Sequence, residues 1–85
     1  METLDLVLKG KWFDMIQSGV KREEYREIKS YWTKRLFNKE YSQVKFRRGY
    51  TKNSLTFQIV DISIGRGNTN IGAPEDKDVY IIKFK

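Results

Sequence analysis

Residues 19–29 read GVKREEYREIK, and seven of these eleven residues carry a charge. On a helix, side chains four residues apart are neighbours, so Arg22 would face Arg26 and two glutamates of the stretch would face each other, and both pairs would repel. On a strand, alternate residues share a face. That arrangement sets Glu24 beside Arg26 and puts Lys21 on the opposite face. The stretch therefore predicts a strand with organised polar side chains rather than a solvated helix.

The residues before this stretch predict a strand and a short helix. Residues 3–9, TLDLVLK, carry leucine at every second position, which is typical of a strand with one buried face. Residues 11–18, KWFDMIQS, space their apolar side chains as a helix does. Gly19 follows, where a glycine often ends a helix.

A second helix and a long strand are predicted further along the chain. Residues 30–37, SYWTKRLF, indicate a short helix with Ser30 as its N-cap. Residues 55–64, LTFQIVDISI, predict the strongest strand. Its apolar alternation changes phase at Ile59 and Val60, which predicts a β-bulge there.

Three further segments complete the predicted fold. They are a strand at 43–48, a loop at 65–77 and a closing strand at 78–85. Four apolar residues in a row from Val79 predict that the closing strand is buried on both faces. The element order predicts an α+β fold, a small barrel of about five mostly antiparallel strands with two short helices, forming one domain over residues 1–85.

The composition excludes several kinds of chemistry. The sequence contains no Cys and no His, which rules out disulfides, thiol nucleophiles and serine–histidine catalysis. Any catalysis must use carboxylates, Lys, Tyr, Ser or Thr. We expect no cofactor and no metal, because the acidic residues Glu75, Asp76 and Asp78 do not form a hard-cation ligand set. Neither a signal peptide nor a membrane span is predicted, which favours a cytoplasmic protein.

The charge distribution points to an anionic partner. The chain has a formal net charge of +6, and residues 9–52 hold 13 Lys and Arg against 5 Asp and Glu. A basic segment of this kind is typical of nucleic-acid or nucleotide binding. The alternative is that the charge serves solubility alone.

Several segments together resemble a known family. Within the opening stretch, Gly19, Lys21, Glu24 and Arg26 form the pattern Gly-x-Lys-x-x-Glu-x-Arg. It is followed by FRRGY at 46–50, ISIGRG at 62–67 and the hydrophobic strand VYIIKF at 79–84. Over nearly the whole chain, this set resembles an ASCH domain, a member of the PUA-like superfamily, and especially its short phage and bacterial forms.

The resemblance implies a fold, a function and three site residues. It implies a PUA-like β-barrel with a cleft beside the first helix, and binding of RNA or of modified nucleosides. Some ASCH-like proteins hydrolyse N4-acetylated cytidine, and others are described as ribonucleases. The motif residues carry over as Lys21, Glu24 and Arg26. Glu24 stands where the amidohydrolases place a threonine nucleophile, so acyl transfer through threonine is not expected here.

The chemistry of the three motif residues fits a polar ligand. Arg26 presents a planar fork and Lys21 a point charge, and both suit an anion. Glu24 could accept a hydrogen bond from an exocyclic amine, such as the N4 amine of cytosine. If the protein is an enzyme, Glu24 and Lys21 are the catalytic candidates. The alternative is a structural ion-pair cluster in the barrel wall.

Four flanking residues extend the predicted RNA or nucleotide site. Lys11, Arg47 and Arg48 could contact phosphates, and Tyr50 could stack on a base. The alternative for the cations is a solvated surface. We therefore predict an RNA- or nucleotide-binding protein, monomeric and away from membranes. The alternatives are a small hydrolase of a modified nucleoside, a ribonuclease and a protein-interaction module.

Overall fold

A computed structural model describes residues 2–85 as one five-stranded sheet with two α-helices and a short 3₁₀-helix. The elements in chain order are β1 (Glu2–Leu8), α1 (Gly10–Gln17), β2 (Glu23–Glu27), α2 (Ser30–Leu36), β3 (Tyr41–Arg48), β4 (Ser54–Arg66), the 3₁₀-helix (Thr69–Ile71) and β5 (Asp78–Phe84). The predicted domain starts at residue 1, which lies outside the described residues. No helix in the described part is both long and apolar enough to cross a membrane.

The strands lie in the order β1-β3-β4-β5-β2. β1 pairs with β3 in parallel, and the other three pairings are antiparallel. The sheet curls into a half-barrel, which confirms the predicted α+β class and its mostly antiparallel strands. β1 and β2 are the two edge strands, so the open side of the half-barrel lies between them.

The curl depends on a bend in β4. The pairing of β4 with β5 shifts register between Ile59 and Asp61, at the predicted bulge. β4 pairs with β3 through residues 54–58 and with β5 from Ile59 to Arg66, so the change of partner lies next to the shift. A bulge increases local twist and bends a strand, which lets one long strand serve both halves of the sheet.

β5 is buried on both faces, as predicted. Tyr80, Ile82 and Phe84 belong to the main core. Val79 and Ile81 point the other way into a second, smaller cluster, completed by Tyr25 and Ala73 from β2 and the loop before β5. This second cluster fixes that loop against the outer face of the sheet.

The first helix ends as predicted and the second begins differently. The N–H of Gly19 donates to the Ile16 carbonyl, and Gly19 adopts φ +87°, which favours glycine. The prediction of Ser30 as an N-cap is wrong. Lys29 holds the extended cap conformation without a side-chain cap, and its carbonyl accepts from the Thr33 N–H. Ser30 is therefore already helical. The predicted loop at 65–77 is also shorter, because β4 continues to Arg66.

Candidate functional site

A cleft lies on the open side of the half-barrel, between β1 and β2. Its volume is about 760 Å³, within the range of small-molecule sites. Its lining comprises residues 5–9 of β1 and the following turn, residues 24–27 of β2, Trp12, Tyr31, Trp32, residues 72–74, Lys77 and Val79. Among residues 2–85, β1 and β2 are the edge strands and do not pair with each other, so this side of the sheet stays open.

Glu24 sits on the cleft lining with both carboxylate oxygens engaged. Oε1 accepts from the Lys21 Nζ at 3.1 Å and from the Tyr25 N–H at 3.1 Å. Oε2 accepts from the Arg26 Nη1 at 2.8 Å. Glu24 is only 4% exposed. The two cations therefore hold a nearly buried carboxylate in one orientation.

Lys21 is buried completely, at 0% exposure. Besides contacting Glu24, its ammonium donates to the Ile71 carbonyl and lies 4.7 Å from the centre of the Tyr25 ring and 5.4 Å from that of Trp12. Burial lowers the pKa of Lys21, and the negative charge of Glu24 opposes that shift. Lys21 thus orients the Glu24 carboxylate from the buried side and has no surface that a ligand could contact.

The placement of Lys21 corrects one expectation from the strand pattern. Alternation predicts Lys21 on the face opposite Glu24, but β2 begins only at Glu23. Lys21 follows the turn after α1, and its own N–H donates to the Met15 carbonyl. Because Lys21 precedes the strand, the alternation of side chains along β2 does not decide where it points, and its long side chain reaches Glu24.

Arg26 connects the two edge strands. Its Nη1 donates to Glu24 and to the Tyr25 carbonyl, both at 2.8 Å, and its Nη2 donates to the Val7 carbonyl of β1 at 3.4 Å. The guanidinium also lies 5.1 Å from the centre of the Trp32 ring, a cation–π geometry. Arg26 is partly exposed and lines the cleft, so it can contact a ligand directly.

Tyr25 joins β2 to the loop before β5, which contributes residues 72–74 to the lining of the site. Its hydroxyl donates to Glu23 at 2.7 Å and accepts from the Asn68 N–H at 3.1 Å. Burial, the largest cause, and the neighbouring carboxylates raise the pKa of Tyr25 to about 12. Tyr25 therefore stays a neutral phenol at ordinary pH.

Aromatic side chains from both helices line the cleft. Trp12 comes from α1, and Tyr31 and Trp32 come from α2. Tyr31 meets Trp32 edge to face, with ring centres 4.8 Å apart, and is half exposed. Sequence reasoning placed Trp12 and Tyr31 only on apolar helix faces and missed their place on the cleft. The sequence carries no local signal that separates these rings from core aromatic residues: the buried Phe46, for example, also stands between two basic residues.

The remaining predicted site residues lie outside the cleft. Arg47 pairs with Asp5 at 3.1 Å, and Arg48 pairs with Asp14 through two hydrogen bonds. The hydrogen bond from Arg48 lowers the pKa of Asp14. These cations are therefore partly occupied by neighbouring carboxylates.

Two further predicted residues are exposed outside the cleft. Tyr50 is fully exposed in the turn between β3 and β4. The Lys11 ammonium lies 4.7 Å from the centre of the Trp12 ring, so Lys11 contacts a residue of the cleft, as Arg47 does through Asp5.

The acidic residues near the end of the chain are engaged by a cation. Arg66 donates to Asp78 at 3.2 Å and to Asp76 at 3.4 Å. Within residues 2–85, no group of three or more acidic side chains is placed to hold a metal ion.

Comparison with known proteins adds no relative. No protein-family model matches the chain, and neither a curated protein nor a solved structure matches it. The resemblance to the ASCH family therefore stays a prediction, carried by the motif residues alone.

Proposed function

We propose that this protein is a cytoplasmic, monomeric RNA- or nucleotide-binding protein of the ASCH kind, and that its cleft accommodates a nucleobase. The observation that carries the proposal is the placement of Glu24 and Arg26 on a cleft with aromatic residues. A base offers a flat face to the aromatic rings and hydrogen-bonding groups along its edge. The cleft presents partners for both.

The cleft has the chemistry for a base edge. Two contacts occupy Oε1 of Glu24, whereas Oε2 accepts only from Arg26 among the described residues. A carboxylate oxygen can accept more than one hydrogen bond, so Oε2 can also accept from an exocyclic amine. Tyr31, half exposed beside Trp32, offers a stacking surface.

The charge of the cleft favours a base over a run of phosphates. Its lining contains three acidic and three basic side chains: Asp5, Glu24, Glu27, Lys9, Arg26 and Lys77. Their formal charges sum to zero, so the cleft itself is not expected to attract anions strongly. The basic excess of residues 9–52 lies largely outside it and would attract the phosphates.

The motif supports the assignment to the ASCH kind. Lys21, Glu24 and Arg26 are the residues that the resemblance marks as functional. They form one ion-pair cluster, in which Glu24 and Arg26 line the cleft and Lys21 lies buried behind Glu24. A cleft beside the first helix is also what a PUA-like domain implies. We accordingly propose membership of that superfamily.

The test is binding of fluorescein-labelled single-stranded RNA, followed by fluorescence anisotropy across a salt series. Arg26→Ala is compared with Arg22→Ala, which removes the same charge from an exposed position just before β2. We expect Arg26→Ala to weaken binding by about 1.5–3 kcal/mol, the value of a hydrogen bond to a charged group, and Arg22→Ala to weaken it much less.

Circular dichroism checks that both variants are folded. Equal losses in the two variants would indicate general phosphate attraction and would remove the cleft from the proposal. Absence of binding by the wild type would overturn RNA binding itself.

The aromatic residues provide a second comparison. Tyr31→Ala removes a half-exposed ring on the cleft, whereas Phe37→Ala removes a similarly exposed ring outside it. Stacking contributes about 1–3 kcal/mol per base, so we expect a loss of that size from Tyr31→Ala alone. Equal effects would place the bound base elsewhere.

A small hydrolase or ribonuclease remains the second candidate, because a carboxylate and a guanidinium share the cleft. The Glu24 carboxylate could move a proton, and Arg26 could stabilise a developing negative charge. A turnover screen with modified cytidines and RNA, comparing the wild type with Glu24→Gln, tests this candidate. Turnover that Glu24→Gln abolishes would support it, and turnover at the blank level would exclude these substrates.

A further inference from the structure

We infer that a bound RNA strand continues from the cleft across β1 into a second subsite, where Tyr50 stacks on the neighbouring base and Arg47 contacts its phosphate. This inference rests on the proposed function and extends it from one nucleotide to at least two. It follows from a second hollow in the surface, from the exposure of Tyr50 and from the geometry of Arg47.

The second hollow adjoins the cleft directly. It has a volume of about 460 Å³ and is lined by Asp5, Val7, Arg47, Gly49, Tyr50 and Thr51. Asp5 and Val7 also line the cleft. The two hollows therefore share the outward side chains of β1, and a ligand leaving the cleft over this edge strand enters the second hollow.

Tyr50 is exposed on a well-held turn. Its exposure is 100%, so its ring contributes little packing to the fold. On one side of it, the Gly49 N–H donates to the Leu8 carbonyl at 2.7 Å. On the other, the Thr51 hydroxyl donates to the Arg48 carbonyl at 2.6 Å. A wholly exposed aromatic ring on a fixed turn is suited to stacking on a base.

Arg47 is oriented and still accessible. Its Nε donates to Asp5 at 3.1 Å, and both side chains are about half exposed. Among the residues that the structure describes, its Nη1 and Nη2 groups have no hydrogen-bond partner. The contact with Asp5 orients the guanidinium, and the two amino groups remain for a phosphate oxygen.

The same geometry excludes Arg48 from this path. Arg48 donates to Asp14 through both Nε and Nη2. It lines a third hollow that shares no residue with the cleft or with the Tyr50 hollow. The neighbouring arginines therefore have different roles, and only Arg47 is expected to contact the strand.

Two probes separate the subsites. An equimolar mixture of the four ribonucleoside 5′-monophosphates reports on the cleft, and a labelled eight-nucleotide RNA of mixed sequence reports on both subsites. The only two tryptophans of the chain, Trp12 and Trp32, both line the cleft. Quenching of tryptophan fluorescence therefore measures occupancy of the cleft by mononucleotides, and anisotropy measures binding of the oligonucleotide.

We expect Tyr50→Ala to weaken oligonucleotide binding by about 5- to 150-fold, the range for loss of one base stack, and to leave mononucleotide binding unchanged. The matched control Phe37→Ala removes another exposed aromatic ring outside both hollows and should change neither. Arg47→Ala should lower the salt slope of oligonucleotide binding by about one, as loss of one phosphate contact does. Arg48→Ala should leave that slope unchanged.

The outcomes distinguish this inference from the function on which it rests. If Tyr50→Ala binds the oligonucleotide as the wild type does while Arg26→Ala does not, the second subsite is overturned and the cleft stands. If Arg47→Ala and Arg48→Ala change the salt slope equally, the proposed path is wrong. If the wild type binds neither probe, the proposed function fails and this inference fails with it.

Discussion

The ion pairs of this protein fall into two regions that differ in burial rather than in length. Behind the cleft wall, Lys21 and Glu24 are 3.1 Å apart, with side chains 0% and 6% exposed. On the surface, Arg48 and Asp14 are also 3.1 Å apart, with side chains 41% and 56% exposed. Distance alone would rank the two pairs as equal. The difference teaches that burial decides which charges the fold depends on.

The physical reason lies in the solvent. Water and salt screen an exposed pair, and removing one partner leaves the other hydrated. A buried pair has already lost its water, so removing one partner leaves a charge with nothing to replace its hydration. Two charged residues that look alike in the sequence can therefore contribute very differently to the free energy of unfolding.

The largest expected effect is on the buried side of this comparison. Lys21→Met leaves the nearly buried Glu24 carboxylate without one of its two cations. We expect a loss of about 3–5 kcal/mol in the free energy of unfolding, typical of a broken buried pair, measured by urea denaturation. The double variant Lys21→Met with Glu24→Gln should recover part of the loss because it removes the stranded charge. A single variant as stable as the wild type would show that the cluster is not structural.

The next largest effect is the pH dependence of the free energy of unfolding, to which the buried Tyr25 contributes and which an exposed tyrosine serves to check. The pKa of Tyr25 is about 12 in the folded protein and about 10 in the unfolded chain. Its contribution to stability is therefore complete below pH 10 and is lost as pH rises from 10 towards 12. Two pKa units correspond to about 2–3 kcal/mol. The lowered pKa of Lys21 acts in the opposite direction, because the unfolded chain then binds more protons up to about pH 10.5.

Two tyrosine variants isolate the contribution of Tyr25 to the pH dependence of stability. Unfolding free energies at pH 9, 10 and 11 should fall less steeply in Tyr25→Phe than in the wild type. Tyr50→Phe, which changes a fully exposed ring, should follow the wild-type curve. Parallel curves for all three proteins would contradict the raised pKa of Tyr25.

A pair of glycines tests how closely the second cluster packs. A Cβ added at Gly67 would lie 2.6 Å from both the Tyr25 ring and the Ala73 side chain, whereas one at Gly65 would meet Ile81 at an ordinary 3.7 Å. We expect Gly67→Ala to destabilise the fold by about 1–3 kcal/mol through overpacking. Gly65→Ala should cost clearly less in the same thermal melt. Equal melting temperatures would mean that the loop moves away freely.

The smallest expected effect is on the exposed side of the comparison. Arg48→Met removes the partner of Asp14 at the surface, where solvent screens both charges. We expect urea midpoints to agree with the wild type within the error of the titration. This variant is also the control for Lys21→Met, because both lose a cation from an ion pair of the same length. A loss as large as that of Lys21→Met would remove burial as the explanation.

Much of the fold could be predicted because local patterns carry it. Leucine alternation predicted β1, Gly19 predicted the end of α1, and the phase change at Ile59 predicted the bulge in β4. Each depends on residues close together in the chain, where backbone geometry is decided locally. Ser30 was misplaced because its hydroxyl made it a good N-cap candidate. In the structure, the Thr33 N–H donates to the Lys29 carbonyl, so Lys29 is the N-cap and the helix begins at Ser30.

The sequence by itself determined the α+β class, the polar strand and the grouping of Glu24 with Arg26 on one face of that strand. Only the tertiary structure decided that Lys21 would be buried behind Glu24, that Trp12 and Tyr31 would line the cleft, and that Arg47 and Arg48 would lie at different hollows. These features depend on where distant segments meet: the Ile71 carbonyl reaches Lys21, and β1 approaches β2 without pairing. Spacing along the chain does not encode such encounters, because they are set by the curl of the whole sheet and the packing on its two faces.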